Sequence, residues 1–275
     1  MKAFALLRRT LLYASAGALC LAGLGSGRTS VATHGCNQDE ELEMGQEIFN
    51  ELKANGEIVE SSPLNDELRP VADAITRAAQ PQYNHPFKFY LIHEDLPDAF
   101  AAPGGNVYVV DSFLYFVRNS DELAGMLCHE VSHTIHHDTV AKIREQQKIT
   151  EREARAAKLL GADRAQALGF PLLAKLHSLG YSRYVESRAD LAGSDICAAA
   201  GYNPWGLVWL FQDLQNSDLE ELPQLLSDHP TFQHRVNSLG WHIRAHPWVF
   251  GKFSSDPKLA RAISVPQNAP EVFLH

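Results

Sequence analysis

The chain has 275 residues, of which 45% are hydrophobic and 21% charged, a composition typical of a globular protein. This length suffices for one large domain or two small ones. The formal net charge of −9 at pH 7 argues against nucleic acid as a partner, and no internal period indicates a repeat array.

Residues 1–32 are predicted to be a secretory signal peptide. Three basic residues precede an apolar run from Leu11 to Leu24, and small residues before Thr33 suit cleavage. The run is shorter than the roughly 20 residues of a transmembrane helix, but an uncleaved membrane anchor is the alternative interpretation. Cleavage would remove four basic residues and no acidic residue, leaving a charge of about −13. We therefore expect a periplasmic or otherwise exported protein, and its acidic charge argues against nucleic acid or anionic lipid surfaces as partners.

Three cysteines would remain after cleavage, Cys36, Cys128 and Cys197, which is an odd number for an oxidising compartment. We interpret Cys128 and Cys197 as buried thiols on helices. A disulfide between these two residues is the alternative.

The first half of the chain after the leader predicts two helices followed by β-structure. Apolar residues recur at helical spacing over residues 39–54 and 65–80. Residues 87–92 read as a strand. Two β-type runs flank a Pro-Gly-Gly turn within Ala99–Val109, so this stretch is predicted to be a hairpin, either an ordinary one or a sheet edge beside a cleft.

The second half of the chain predicts helices only. Ser120 is expected to cap a helix that runs on through Ile143, and the charged stretch 144–158 is expected to be an exposed helix. Three later helices are predicted. The first opens within 180–190 and ends at Ala200, and the second starts at Asn203 and has an apolar face of core aromatic residues. The third ends near Arg244.

The helix from Ser120 carries an HExxH motif, with His129, Glu130 and His133. Residues four apart lie on one helix face, so the two imidazoles can bind a single zinc ion. Glu130, next to the first histidine, is placed to act as general base for a water that zinc activates. HExxH also occurs in helices by chance, so residues elsewhere must supply the rest of the site.

A third zinc ligand is predicted at Glu186. The metzincin class is excluded, because His136 and Thr139 stand where that class needs glycine and histidine. The gluzincin class takes a glutamate from a later helix, and Glu186 lies in an ExxAD motif. Asp190, one turn further on, is placed to accept the second N–H of a ligating histidine. A surface carboxylate pair is the alternative interpretation of these two residues.

Five motifs occur in a fixed order: AFAAPGGNVYV, HEVSH, GYSRYVESRAD, GYNP and DHPTFQHR. In this set the sequence resembles the HtpX/BepA/CAAX-prenyl-protease family of gluzincin zinc metallopeptidases, over roughly residues 39–244. The resemblance implies a mainly helical α+β, zincin-like domain over 33–248, with a small sheet or hairpin beside the cleft and a C-terminal tail over 249–275. Without the membrane spans or repeat domain of other branches, the sequence looks like a short periplasmic member.

The resemblance also implies residue roles. His129, His133 and Glu186 match ligands of one Zn2+ per chain, Glu130 matches the catalytic glutamate and Asp190 matches an aspartate beside the site. His229 and Arg235 match residues that approach the metal. We predict His229 as a fourth, gating ligand, with helix capping or substrate contact as alternatives, and Arg235 as a donor to the oxyanion.

The hairpin matches the edge along which substrate is expected to bind as an added strand. The predicted substrate contacts are Ala101, Gly104, Gly105, Asn106 and Val107. Two positions depart from the family pattern, Asp98 and the pair His137-Asp138, and we expect neither to touch the ligands.

The predicted function is that of a zinc metalloendopeptidase that cleaves misfolded or unfolded envelope proteins. Polypeptide is the expected partner, together with peripheral association with a membrane or the outer-membrane assembly machinery. Two alternatives remain open at this point: a zinc-binding, chaperone-like scaffold with little proteolysis, and a zinc hydrolase that acts on a non-peptide substrate.

Overall fold

The computed structural model describes residues 35–159, 172–177, 180–217 and 232–264. The predicted signal peptide, His229 and residues 265–275 lie outside these ranges. Within them, no helix is both long enough and apolar enough to span a bilayer.

The described residues form a mainly helical α+β domain with one small sheet, which confirms the predicted fold class. The strands are β1 (Lys88–Ile92), β2 (Ala99–Ala102) and β3 (Asn106–Val110). The helices are α1 (Gly35–Asn55), α2 (Asn65–Ala79), α3 (Asp111–Phe116), α4 (Ser120–Ile135), α5 (Asp138–Leu159), α6 (Leu172–His177), α7 (Arg183–Ala199), α8 (Trp205–Asn216), α9 (Phe232–Ala245) and α10 (Pro247–Phe250).

The sheet has the strand order β1-β3-β2, so β3 is its central strand. β1 pairs with β3 in parallel, and β2 pairs with β3 in antiparallel fashion. The antiparallel pair is the predicted hairpin, which is confirmed. Its turn is a single 3₁₀ turn, Pro103–Gly105, in which Gly104 and Gly105 have φ of +77° and +84°. This left-handed backbone explains the two glycines.

The helix that carries HExxH lies at the centre of the domain. Every residue of α4 from Ser120 to Thr134 is buried, and α2, α7, α8 and β2 pack around it. Gly193 allows α7 to approach closely, because a Cβ atom there would lie 3.1 Å from the Cα of His129. The site residues on α4 and α7 are therefore held by tightly packed helices.

Buried apolar side chains form two clusters. One joins α2, α4, α7, α8 and α9, and the other fills the space between the sheet, α1, α5 and α6. The aromatic residues of α8, Trp205, Trp209 and Phe211, are buried in the first cluster, as predicted. Cys128 and Cys197 are buried and free, so the interpretation as thiols is confirmed in the structure.

The prediction that one helix runs through Ile143 is wrong. α4 ends at Ile135, and His137 has φ of +56°, a left-handed conformation that a helix interior does not tolerate. The Nδ1 of His137 lies 3.0 Å from a carboxylate oxygen of Glu41 on α1, which ties the break to a neighbouring helix. α5 starts at Asp138 and continues through the charged stretch, which is helical as predicted.

The N-terminal cap of α4 also differs from the prediction. Asn119, and not Ser120, accepts the backbone N–H of Glu122, at 2.9 Å. Glu122 in turn accepts the backbone N–H of Arg118, at 2.8 Å, and the side-chain amide of Asn119, at 2.6 Å. This reciprocal arrangement is a form of capping box.

Residues 249–264, assigned to a tail from the sequence, pack against the domain. Phe250 is buried, and Asp121 at the start of α4 accepts the backbone N–H of Arg261 at 2.9 Å. Ser120 donates to the carbonyl of Ala262 at 3.0 Å. The folded unit therefore extends well past residue 248.

Candidate metal centre

The structure brings His129, His133 and Glu186 together in the interior. The two Nε2 atoms of the histidines are 3.1 Å apart, and each is 3.5 Å from an oxygen of Glu186. The helical spacing of α4 places both imidazoles on one face, and α7 lies against that face with Glu186 in its first turn. At most 1% of any of these residues is exposed.

These distances fit a zinc ion. Zinc–nitrogen and zinc–oxygen bonds of about 2.0–2.1 Å in a tetrahedron separate neighbouring ligand atoms by about 3.3 Å. The three separations lie close to that value. Among the described residues, these three form the one cluster of candidate ligands whose donor atoms all lie within 4.8 Å of one another.

The outer nitrogens of both histidines face carboxylates. The Nδ1 of His129 lies 3.0 Å from Asp190 on α7, and the Nδ1 of His133 lies 3.0 Å from Asp138. Each Nδ1–H therefore donates to a carboxylate, which leaves the two Nε2 atoms, 3.1 Å apart, to share a proton or a cation. Such an arrangement is favourable with a cation between the two nitrogens.

Asp138 is the site residue that the sequence analysis missed, and the expectation that His137-Asp138 would not touch the ligands is wrong. The helix break at His137 turns the chain so that Asp138 faces back toward His133. Arg188 of α7 donates to the other oxygen of Asp138 and fixes its orientation. The available signal was the acidic residue immediately after an HExxH helix.

We predict that Asp138→Asn weakens zinc binding by about 10–100-fold while the fold survives, because an amide is a poorer partner for the ligating imidazole. Zinc affinity measured by competition with a chromophoric chelator checks this prediction. The matched control is Asp111→Asn, which alters a half-buried aspartate that pairs with the exposed His93 at 2.7 Å. Unchanged affinity in the Asp138 variant would show that this contact does not tune the metal.

Arg235 is held by the carboxylates behind the ligands. Its guanidinium donates twice to Asp190, at 2.9 and 2.6 Å, and its Nη1 lies 3.3 Å from Glu186. The guanidinium also lies over the ring of Phe211, 4.1 Å from the centroid. These contacts position Asp190 and Glu186. The expected role of Arg235 as oxyanion donor stays a prediction.

The charges of the metal-free site are strongly perturbed. Burial lowers the pKa of His129 to about 4, despite the contact with Asp190. Burial also opposes protonation of His133, but Asp138 and Glu186 outweigh it and raise the pKa to about 9. Without metal, one proton is therefore held at neutral pH, on His133 and not on His129. A divalent cation must displace that proton when it binds.

Glu130 lies beside the ligands and touches the sheet. Burial raises the pKa of its carboxyl to about 7, and its Oε2 accepts the backbone N–H of Ala101 on β2 at 2.8 Å. A carboxyl with a pKa near the working pH is suited to take up and release a proton.

The structure separates the predicted substrate contacts. Ala101 lies in β2, at the sheet edge, with its N–H turned toward α4. Asn106 and Val107 lie in the central strand β3, which is paired on both sides. Gly104 and Gly105 are buried in the turn, Gly104 against α1. Of these five residues, only Ala101 is on a free strand edge of the described sheet.

Two histidines of one helix, a glutamate of a later helix and a glutamate next to the first histidine define the gluzincin type of metallopeptidase site. The chain belongs to peptidase family M48, which it matches over residues 62–241.

The chain is also similar in sequence to proteins that are named as proteases or metalloendopeptidases. The chain is 25% identical to the beta-barrel assembly-enhancing protease of Yersinia pestis over 72% of its length and 43% of the relative. The protein of the same name from Escherichia coli K12 is 24% identical over 72% of this chain and 42% of its own length. The mitochondrial metalloendopeptidase OMA1 of Schizosaccharomyces pombe is 27% identical over 56% of this chain. Less than half of each relative is covered.

Proposed function

We propose that the protein is a zinc-dependent endopeptidase. The observation that carries this proposal is the pair of Nε2 atoms 3.1 Å apart, each backed by a carboxylate and each 3.5 Å from Glu186. His129, His133 and Glu186 would hold the ion. Bound zinc would act as a Lewis acid, activating water and polarising the scissile carbonyl.

Glu130 is the proton carrier in this proposal. Its carboxylate takes a proton from the attacking water and passes it to the amine that leaves, so the base returns to its starting form after each cycle. The hydrogen bond from Ala101 holds the carboxylate in place. Asp190 and Asp138 accept the Nδ1–H groups and so keep both histidines in the form with Nδ1 protonated, and Arg235 holds Asp190 and Glu186 in place.

We place the substrate along β2. The backbone N–H of Val110 donates to Asp98 at 2.9 Å, so in this antiparallel ladder Asp98 and alternate residues face β3. Ala99 and Ala101 therefore turn their backbone groups away from β3. Their N–H groups are bonded to Asp98 and Glu130, and their carbonyl oxygens are the acceptors that an extended substrate would use.

The substrate class is unfolded polypeptide, because only an extended backbone can pair with a strand edge. Two relatives are named beta-barrel assembly-enhancing proteases, which supports envelope proteins as substrates and outer-membrane assembly as the setting. The predicted signal peptide supports export to the periplasm. His229 as a gate on the metal remains part of this proposal.

Hydrolysis of an unfolded polypeptide such as casein tests the activity. We expect cleavage that stops on treatment with a chelator and returns with added zinc. Zinc binding without any cleavage, of casein or of unfolded outer-membrane protein, would favour the scaffold alternative.

Strand addition is tested with a peptide substrate that carries single N-methyl groups. Methylation removes one N–H donor, and a hydrogen bond contributes about 0.5–1.5 kcal/mol, so KM should rise by about threefold to tenfold at alternate positions. The positions in between serve as the control, because their N–H groups face away from β2. Equal tolerance at every position would contradict strand addition.

A further inference from the structure

A second group of ligand-type side chains lies at the C-terminal end of α9, outside the HExxH site. His242 and His246 are four residues apart, and their ring centroids are 4.4 Å apart. The Nε2 of His242 lies 4.0 Å from Oδ1 of Asp195 on α7. We propose that His242, His246 and Asp195 form a second metal site, which binds a divalent transition-metal ion such as zinc.

His246 has the tautomer that a metal ligand needs. Its Nδ1 donates to the backbone carbonyl of His242 at 2.8 Å. The proton is therefore on Nδ1, and Nε2 carries the lone pair that a metal needs. A backbone carbonyl is one of the usual partners of the outer nitrogen of a ligating histidine.

His242 offers the second nitrogen. Its Nε2 is buried and has no hydrogen-bond partner among the residues that the structure describes. A buried nitrogen without a partner costs free energy, and a metal ion would satisfy it. Burial also lowers the pKa of His242 below its usual value, which favours the neutral imidazole, the form that binds metal.

Asp195 offers the third donor and can adjust to it. The three donor atoms do not all lie within 4.8 Å of one another, as those of the catalytic cluster do. The Asp195 side chain is 61% exposed, however, so its carboxylate can rotate toward the two imidazoles at little cost. On the other side, the ring of His246 meets Trp248 edge-on at 5.2 Å, and the ring of His242 meets Phe250 at 5.5 Å. These aromatic contacts hold the two imidazoles in their orientation.

The donor set decides the class of ion. Two imidazoles and one carboxylate suit zinc, copper(II) or nickel(II), whereas calcium and magnesium need oxygen ligands. The site is more open than the catalytic centre, and its ligands are not fully preorganised. We therefore expect weaker binding, which dialysis against zinc-free buffer reverses.

The two helices that this site joins also build the catalytic centre. α7 carries Glu186 and Asp190, and α9 carries Arg235, which binds both. A metal at His242, His246 and Asp195 would cross-link these helices at their far ends. Because it binds only the folded chain, it would raise the thermal unfolding midpoint.

Calorimetric titration of Zn2+ into full-length protein that retains its catalytic zinc tests the proposal. We expect one further equivalent to bind and the unfolding midpoint to rise with zinc. His246→Gln should weaken this second equivalent by at least about tenfold and reduce the rise, and Asp195→Asn should weaken it too. Both variants should keep the first zinc.

The matched control is His93→Gln. His93 also pairs with a carboxylate, Asp111, at 2.7 Å, but lies outside the proposed site, so its loss should leave the titration unchanged. Failure of wild-type protein to bind a second equivalent at up to millimolar zinc would overturn the proposal. Equal affinities in His246→Gln and wild type would overturn it as well, since the second ion would then bind elsewhere.

Discussion

Glu130→Gln should retain its zinc and lose peptidase activity by about 10²–10⁴-fold. The amide has the shape of the carboxylate but cannot accept a proton from water. Its oxygen can still accept the N–H of Ala101, which the carboxylate binds at 2.8 Å, so the local structure should persist. Zinc content and the initial rate of casein cleavage, measured on the same preparation, check both halves of this prediction.

Glu122→Gln is the matched control for that variant. Glu122 lies on the same helix and, like Glu130, is buried with its pKa raised to about 7 by desolvation. It belongs to the cap of α4, at the end remote from the metal ligands, so its replacement should leave catalysis intact. Loss of zinc in Glu130→Gln, or equal loss of activity in both variants, would contradict the role of Glu130 as base.

The second large effect is expected from His129→Ala combined with His133→Ala, which should abolish zinc binding. Both imidazoles are fully buried, and the single ligand left, Glu186, cannot hold the ion alone. The double substitution also leaves cavities and deprives Asp190 and Asp138 of partners, which costs stability. Circular dichroism must therefore show that the variant is folded.

Glu186→Gln tests the same claim with less disturbance. Glutamine fills the same volume but replaces a charged ligand with a neutral, weaker one. Zinc affinity should fall strongly, while α7 stays in place through the close contact of Gly193 with α4.

The sequence allowed the metal cluster to be predicted because its spacing is local. His129 and His133 need only a helix to share a face. Glu186 and Asp190 are also four residues apart, so they too share a face of their own helix. Their mutual approach, α7 against α4, came only from the family resemblance. The distances of 3.0–3.5 Å then follow from the packing of buried helices.

The contact of Asp138 with the site was not predicted, because no local sequence signal indicates the helix break that precedes it. The sequence has no glycine or proline between Ser132 and Asp138, and a non-glycine residue in the left-handed conformation is uncommon. The contact of His137 with Glu41 joins residues far apart in sequence, and such tertiary contacts override local helix propensity.

The strand order was also inaccessible from local patterns. The hairpin of β2 and β3 is local in sequence, but β1 pairs with the side of β3 that faces away from β2. Because of that pairing, β3 is a central strand and not an edge strand. Asn106 and Val107 therefore cannot pair with an added substrate strand. The hydrogen bonds of residues 249–264 with α4 and α8 also join residues far apart in sequence, which is why this stretch was predicted to be a tail.

The most direct test of a zinc site at His129, His133 and Glu186 is elemental analysis of zinc in dialysed protein. Dialysis against zinc-free buffer removes weakly bound ions, so wild-type protein should retain about one zinc per chain. The folded His129→Ala/His133→Ala variant should retain less than about a tenth of that amount, and Glu186→Gln should lose its zinc to a chelator that leaves the wild type loaded. Stoichiometric zinc in the folded double variant would show that these histidines do not hold the metal.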